Sequence, residues 1–106
     1  MTTIDPIQPG MSVATVLLKI AEATGIPTLS ITGPRRSRRV CYARFLAMAG
    51  IRVSHPSWAL VDISEAVGRG DHGTIYHGLN RYRELYDTDR EFRRLALECG
   101  LPQRLP

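Results

Sequence analysis

Apolar residues recur at three- and four-residue spacing in short stretches, and this periodicity constrains the fold more than any other feature of the sequence. The first such stretch carries Val13, Val16, Leu17, Ile20 and Ala21. This spacing aligns apolar side chains on one face of an α-helix, whereas no segment shows the convincing two-residue alternation of a strand. The pattern predicts an all-α fold, a compact bundle of about five helices.

Capping residues and helix breakers set the expected boundaries in the first half of the chain. Ser12 is a suitable N-cap, and Gly25 followed by Pro27 is a stop signal. Residues 28–33 are expected to form a short connector or a single turn. The next helix, rich in helix formers, is expected to end at Gly50, with residues 51–55 as a loop and Pro56 in the first turn of the following helix.

Similar signals divide the second half of the chain. Gly68-Arg69-Gly70 predicts a break, and Asp71 predicts the N-cap of the next helix. Thr88, with Glu91 three residues later, matches a capping box for a last helix that Gly100 closes. The expected organisation is a flexible arm over residues 1–10, one domain over residues 11–100 and a frayed tail over residues 101–106.

Positive charge is concentrated in the middle of the chain. The protein has 14 basic and 10 acidic residues, and Lys19 is the single lysine. Residues 33–83 contain nine arginines against three acidic residues, a net charge of +6, although the whole chain carries +4. Arginine favours bidentate contacts with phosphate or guanine. Charge alone is equally compatible with a protein that has solvated arginine faces.

The expected cellular location follows from three features of the sequence: its two cysteines, its polar N-terminus and the lack of a long apolar run. Cys41 and Cys99 are far apart in sequence and predict reduced thiols in an intracellular protein. No secretory signal is visible, and no apolar run approaches the roughly 20 residues that cross a bilayer. We therefore expect a cytoplasmic, nucleoid-associated protein without a membrane partner.

Residues 57–86 match two helices joined by a tight glycine-containing turn, which is the pattern of a helix-turn-helix. The first residues of the second helix reach base edges in such units, and each residue type here has a use. Asp71 can accept from a cytosine amino group, and His72 offers a donor and an apolar edge. Gly73 permits close backbone approach, and Thr74 can contact a base or a phosphate. Arg69, Arg81 and Arg83 are near enough in sequence to flank the duplex.

The same segment resembles the C-terminal DNA-binding domain of the bacterial replication initiator DnaA. The family signature Gly-Gly-Arg-Asp-His-Thr-Thr-Val-x-His-Ala is similar to residues 68–78, which read Gly-Arg-Gly-Asp-His-Gly-Thr-Ile-Tyr-His-Gly. The run Arg35-Arg36-Ser37-Arg38 with the helix after it looks like the family's basic loop and following helix, and the resemblance covers roughly residues 12–99. It implies a Trp-repressor-like helix-turn-helix fold.

The resemblance also implies roles for single residues. Arg36 matches an arginine that enters the minor groove, and Arg44 matches a DNA-contacting arginine on the following helix. Asp71 and His72 match base readers in the major groove, and Arg81 matches a basic position near phosphate. His77 matches a histidine that we interpret as packed and structural. The predicted DNA-binding set is Arg35, Arg36, Arg38, Arg44, Arg69, Asp71, His72, Gly73, Thr74 and Arg81.

Departures from the family pattern qualify these implications. Gly73 replaces a base-reading threonine, and Gly70 replaces the arginine before the Asp-His pair, with Arg69 one place earlier. We therefore expect recognition of double-stranded DNA with an altered preferred sequence. The sequence contains no Gly-x-x-x-x-Gly-Lys-(Ser/Thr) phosphate-binding loop, so we expect a stand-alone domain without the ATPase module.

Blander interpretations apply to several of these residues. Asp71 is also explained by capping alone, and the arginines of residues 35–39 are also explained by a solvated helix start, although positive charge there opposes the helix dipole. His72 and His77 are five residues apart rather than four, which argues against a metal site. The aromatic residues are predicted to belong to the core rather than to stack on bases, namely Phe45, Trp58, Tyr82 and Tyr86.

Three classes of function follow from the sequence. A sequence-specific duplex binder that regulates transcription or replication fits best, as a homodimer or with a protein partner. The alternative is a protein-interaction module that mimics the initiator domain and binds the initiator or its regulators. An enzyme is not expected, because neither clustered carboxylates nor a nucleophile–base pair is found, and no cofactor is expected. RNA binding is disfavoured because aromatic and basic residues do not alternate.

Overall fold

The computed structural model describes residues 5–106 and contains six α-helices and no strand within that range. The helices are α1 Val13–Thr24, α2 Thr28–Thr32, α3 Arg38–Ser54, α4 Leu60–Ala66, α5 His72–Thr88 and α6 Arg90–Glu98. The all-α prediction is confirmed. The count exceeds the expected five because residues 28–32, expected as a connector or a single turn, form the short helix α2.

The limits of α1 follow from local chemistry, as the sequence predicts. The Ser12 hydroxyl accepts from the amide of Thr15 at 3.2 Å, which satisfies one of the free amides of the first turn. Gly25 adopts φ 73° and its amide donates to the carbonyl of Ala21. This left-handed backbone favours glycine and ends the helix.

Helix α3 is longer than expected, because it continues through Gly50 to Ser54. Gly50 is a contact point rather than a stop: a Cβ atom there would lie 2.8 Å from Val16 Cγ1 and 3.0 Å from Ile7 Cδ1. The glycine thus allows α1 and the N-terminal segment to approach α3 closely. The predicted loop over residues 51–55 is therefore wrong.

Pro56 also differs from the sequence prediction, since it lies in a turn before α4 rather than in its first helical turn. Helix α4 begins at Leu60, where the Asp62 carboxylate accepts from the amide of Ala59 at 3.0 Å. In the same turn, Arg52 donates to the carbonyl of Trp58 at 2.9 Å. The bond from Arg52 holds the α3–α4 connection against the end of α3.

The cap between α5 and α6 differs by one residue from the prediction. Asp89, not Thr88, is the N-cap of α6, and its carboxylate accepts from the amide of Phe92 at 3.0 Å. Thr88 is the last residue of α5, and its hydroxyl donates to the carbonyl of Glu84. Gly100 has φ 74° just beyond α6, as the sequence predicts for the closing glycine.

Both chain ends of the described part contact the helices. Ile7 is buried, and its amide donates to the carbonyl of Cys99 at 2.9 Å. Leu101 is buried as well, and the Tyr82 hydroxyl donates to the carbonyl of Pro102 at 2.7 Å. Leu101 is thus packed and Pro102 is held by a hydrogen bond, so the start of the predicted tail is not frayed. The predicted N-terminal arm is irregular but attached over residues 5–10, and residues 1–4 lie outside the described range.

The core surrounds α3, which packs against α1, α2, α4 and α5. Tyr82 and Phe92 are fully buried with their ring centroids 5.6 Å apart in an edge-to-face arrangement. Phe45, Trp58 and Tyr86 are partly buried against the same cluster, so the prediction that the aromatic residues pack with the core is confirmed. The arrangement leaves one long side of α5 in contact with solvent.

Candidate nucleic-acid interface

Helices α4 and α5 form a helix-turn-helix whose turn is fixed at three points. Gly68 has φ 73°, and a Cβ atom there would lie 2.6 Å from the carbonyl oxygen of Thr32. The Arg69 amide donates to the carbonyl of Ser64 at 2.7 Å, and the Ser64 hydroxyl donates back to the carbonyl of Arg69. Ser64 is itself buried, so the turn has little freedom relative to α4.

The N-terminus of α5 presents the four residues that the sequence selects as base readers. One carboxylate oxygen of Asp71 accepts from the Gly73 amide at 2.8 Å, which confirms the N-cap prediction. His72 and Thr74 are exposed, and Gly73 is half-exposed. The free amides of this first turn and the positive end of the helix dipole also favour a nearby anion.

The outward face of α5 continues beyond the residues that the sequence selects. At 100° per residue, Gly73, Tyr76, His77 and Asn80 lie opposite the buried side of the helix, and the last three are exposed. The prediction that His77 is packed is therefore wrong. The signal for this face lies in the sequence itself, because a helical wheel centred on the fully buried Ile75 places these residues on the outward side.

Charge divides α5 into two halves. Residues 72–83 contain Arg81 and Arg83 and no acidic side chain, whereas residues 84–89 contain Glu84, Asp87 and Asp89. A polyanion would be attracted to the first half and repelled by the second. The charge pattern therefore limits the surface that suits nucleic acid to about the first three turns of α5.

Arg81 lies at the boundary between these halves. Its guanidinium forms an ion pair with the Glu84 carboxylate at 2.7 Å, and both side chains are about half exposed. Exposed pairs of this kind contribute little to stability, so the arginine can exchange this partner for a phosphate at small cost.

The basic loop between α2 and α3 carries exposed arginines beside a capped helix start. Arg35 and Arg36 are exposed, and the Ser37 hydroxyl accepts from the Val40 amide at 3.3 Å as the N-cap of α3. The Cys41 thiol donates to the carbonyl of Arg36 at 3.6 Å. The loop backbone is thus bonded to α3 while its two arginine side chains reach solvent.

Arg44 has an internal role that the sequence does not reveal. It is only 6% exposed, and its guanidinium donates to four backbone carbonyls of α2 and the basic loop: Ser30, Ile31, Gly33 and Arg35. Burial, and then the charge of Arg69, lower the pKa of Arg44. The sequence predicts that Arg44 reaches DNA, but the side chain is mostly enclosed. Its guanidinium donors are instead used on these internal carbonyls. Its direct contact with DNA stays a prediction.

Arg69 reaches the same loop from the helix-turn-helix. Its guanidinium donates to the carbonyl of Gly33 at 2.7 Å, and Arg44 donates to that same oxygen at 2.8 Å. The side chain is half-buried rather than extended toward solvent. The basic loop and the turn before α5 are therefore joined directly.

Arg38 is exposed and bonds toward the C-terminal end of α5 rather than toward its N-terminus. Its guanidinium donates to the Tyr42 hydroxyl at 3.0 Å and to the Asp89 carboxylate at 3.2 Å. Asp89 follows the C-terminal end of α5, about 25 Å from His72 for a helix of this length. The hydrogen bond from Tyr42, followed by those from Phe92 and Arg38, lowers the pKa of Asp89. Arg38 thus joins α3 to the α5–α6 junction.

Other kinds of site find little support in the described part of the chain. Residues 5–106 contain no cluster of three or more His, Cys, Asp or Glu side chains that could hold a metal ion. Cys41 and Cys99 are both free thiols. No helix within that range is long and apolar enough to cross a membrane. The large apolar side chains that are at least half exposed, Leu18, Leu29, Val61, Tyr76 and Leu97, are spread over five helices.

Comparison with known proteins gives a consistent set of relatives. Residues 13–81 match the family described as the bacterial dnaA protein helix-turn-helix. The chain is 31% identical over 83 residues to the chromosomal replication initiator protein DnaA of Rickettsia bellii, a match covering 78% of this chain and 18% of the relative. It is 34% identical over 87 residues to that of Cereibacter sphaeroides, covering 82% of this chain and 18% of the relative.

Proposed function

The chain belongs to the bacterial DnaA helix-turn-helix family, and on that premise we propose that it binds double-stranded DNA in a sequence-specific manner. The single observation that carries the proposal is the first half of α5. It begins with the exposed residues His72 and Thr74 after the Asp71 cap and contains no acidic side chain before Glu84. Such a helix suits the major groove with its N-terminus toward base edges.

In the proposed complex, the reading residues extend beyond the helix terminus. Asp71, His72 and Thr74 contact base edges, and Gly73 leaves room for close approach of the backbone. Tyr76 and Asn80 lie on the same outward face; a tyrosine edge suits a thymine methyl, and an asparagine amide suits adenine. The face can read several consecutive bases before the acidic half of α5 begins.

A second element of the proposed interface is the basic loop. Arg35 and Arg36 are exposed there, and an arginine inserted into the minor groove is favoured where A·T-rich sequence narrows the groove. Arg81, whose exposed pair with Glu84 is readily exchanged, would contact a phosphate. Each phosphate contact releases counterions and makes binding depend on salt.

We infer a regulator of transcription or replication that recognises a DnaA-box-like or diverged site, because Gly73 changes one reading position. The chain spans about 18% of the length of the relatives it matches, and we assign it no activity beyond DNA binding. A single module contacts few base pairs, so a homodimer or a protein partner bound to DNA in the cytoplasm would supply useful affinity.

Selection from a random duplex library at moderate salt tests this proposal. The wild type is compared with the Arg36→Ala/His72→Ala double variant and with Arg90→Ala, which removes an exposed arginine of α6. We expect the wild type and Arg90→Ala to enrich one site of roughly 9–12 base pairs, and the double variant to lose it. Absence of enrichment would favour the alternative, an interaction module that binds the initiator or its regulators. Enrichment that survives in the double variant would contradict the assignment of the interface.

A further inference from the structure

We infer that Arg69 is a positioning residue, which together with Arg44 locks the basic loop to the helix-turn-helix through the carbonyl oxygen of Gly33. This inference rests on the proposed function, since it concerns how two DNA-reading elements are held relative to each other. It assigns to Arg69 a role other than the direct DNA contact that its place in the sequence suggests.

The geometry at Gly33 carries the inference. Its carbonyl oxygen accepts from Arg69 at 2.7 Å and from Arg44 at 2.8 Å. The two donors come from different places in the chain, 36 and 11 residues away from Gly33. One oxygen is thus the meeting point of the loop that carries Arg36, the centre of α3 and the turn before α5.

The surroundings show that this contact is confined rather than incidental. The backbone of Arg69 is bonded in both directions to the buried Ser64, which sets the direction in which its side chain leaves the turn. One residue earlier, Gly68 lies so close to Thr32 that a Cβ atom would approach its carbonyl oxygen to 2.6 Å. Backbone packing and side-chain hydrogen bonding therefore join the same two segments.

Two like charges converge here, which is unfavourable unless another gain offsets it. Burial is the main cause that lowers the pKa of Arg44, and the charge of Arg69 lowers it further, as expected for cations held near each other. Each guanidinium uses a donor on a backbone carbonyl rather than on an acidic side chain. The repulsion is offset if the contact fixes the basic loop relative to α5. Two DNA-reading elements that are already positioned lose less conformational entropy on binding.

The first test uses the free protein and does not depend on DNA binding. Backbone amide order parameters of residues 35–37 are measured by NMR for the wild type, Arg69→Ala and the charge-matched control Arg90→Ala. We expect values near 0.85 in the wild type and the control and lower values in Arg69→Ala, because only the bonds from Arg44 and α3 then hold the loop. Unchanged order in Arg69→Ala would overturn the inference, whatever the DNA results.

The second test separates positioning from direct phosphate contact. Affinity for the selected duplex is measured over a range of salt concentrations for Arg69→Ala and Arg36→Ala. Arg69→Ala should weaken binding on the order of ten-fold with an unchanged slope of log affinity against log salt. A fall in the slope magnitude of about 0.9 would mean that Arg69 itself contacts a phosphate and would overturn the inference.

A duplex with one base pair inserted between the minor-groove and major-groove parts of the site gives the third readout. The insertion moves the two parts by about 3.4 Å and about 35°. We expect a large loss of affinity for the wild type and a smaller relative loss for Arg69→Ala, because a released loop tolerates the new spacing. Equal losses would contradict the inference. If Arg69→Ala does not fold, Arg69→Lys, which keeps the charge but not the planar fork, is expected to shift all readouts in the same direction to a smaller extent.

Discussion

Substitution of Asp71 by asparagine separates its two roles, capping and base reading. In the structure one carboxylate oxygen accepts from the Gly73 amide at 2.8 Å, which leaves the other oxygen as an acceptor for a base. Asparagine keeps an oxygen for the cap, but its other group is an amide donor. The change therefore preserves the helix start and reverses the hydrogen-bonding polarity that is presented to the groove.

The expected magnitudes follow from this geometry. Asparagine and aspartate are about equal as N-caps, so Asp71→Asn should change the free energy of unfolding by less than about 0.5 kcal/mol, whereas Asp71→Ala should cost about 1 kcal/mol. One base contact contributes about 1–3 kcal/mol of discrimination, which corresponds to roughly 5- to 150-fold in affinity. We expect Asp71→Asn to lose that much on the wild-type site.

Urea unfolding and library selection on the same three proteins check this prediction. Asp71→Asn should be as stable as the wild type and should select a different base at one position, one that offers an acceptor in place of the cytosine amino group. Asp71→Ala should lose both stability and preference at that position. If Asp71→Asn selects the wild-type site with wild-type affinity, Asp71 is only a cap and the reasoning is refuted.

Three further predictions concern the fold. Gly68→Ala should destabilise the protein by more than about 1 kcal/mol in urea unfolding, because φ is 73° and the new Cβ would meet backbone, while Gly70→Ala, with open space around it, should be nearly neutral. Burial raises the pKa of Cys99 from 9.0 to about 12, so it should contribute a loss of stability as pH rises from about 9 to 12, and Cys99→Ala should reduce that loss. Tyr42→Phe should raise the pKa of Asp89, measured by NMR, because the Tyr42 hydroxyl is the largest cause of its lowering. The stability that ionised Asp89 contributes above its ordinary pKa of 3.8 should then be lost at a higher pH in the variant than in the wild type as the pH falls.

Each of these has a clear contrary result. Equal stability of the two alanine variants would mean that the turn relaxes away from α2. If Cys99→Ala leaves the pH dependence unchanged, the loss of stability at alkaline pH comes from other groups. Tyr82 is one of these, since burial raises its pKa as well. An unchanged Asp89 pKa in Tyr42→Phe would mean that Arg38 or the Phe92 amide compensates for the missing hydroxyl.

Features that depend on local chemistry could be predicted from the sequence. The caps at Ser12 and Asp71 and the stop at Gly25 involve neighbours within a few residues, and the structure has all three. The aromatic core followed from helical spacing in the same way. Local signals of this kind also located the start of α5, which is the centre of the candidate interface.

Features that depend on distant partners could not be predicted. Gly50 is a residue type that often ends helices, but here it allows Val16 and Ile7 to pack closely against α3. The sequence predicts that Arg44 and Arg69 contact DNA. It does not reveal that both guanidinium groups donate to the carbonyl of Gly33. The same applies to Arg38, whose partner Asp89 is 51 residues away.

The most direct test of the central claim is amide chemical-shift mapping of the protein with the selected duplex. We predict that the largest changes fall in two groups, residues 35–37 of the basic loop and residues 71–81 at the start of α5, with little change in α1 and α6. Changes concentrated on α1 or α6, or spread evenly over the arginine-bearing surface, would contradict the account and show that the duplex is bound by a different face.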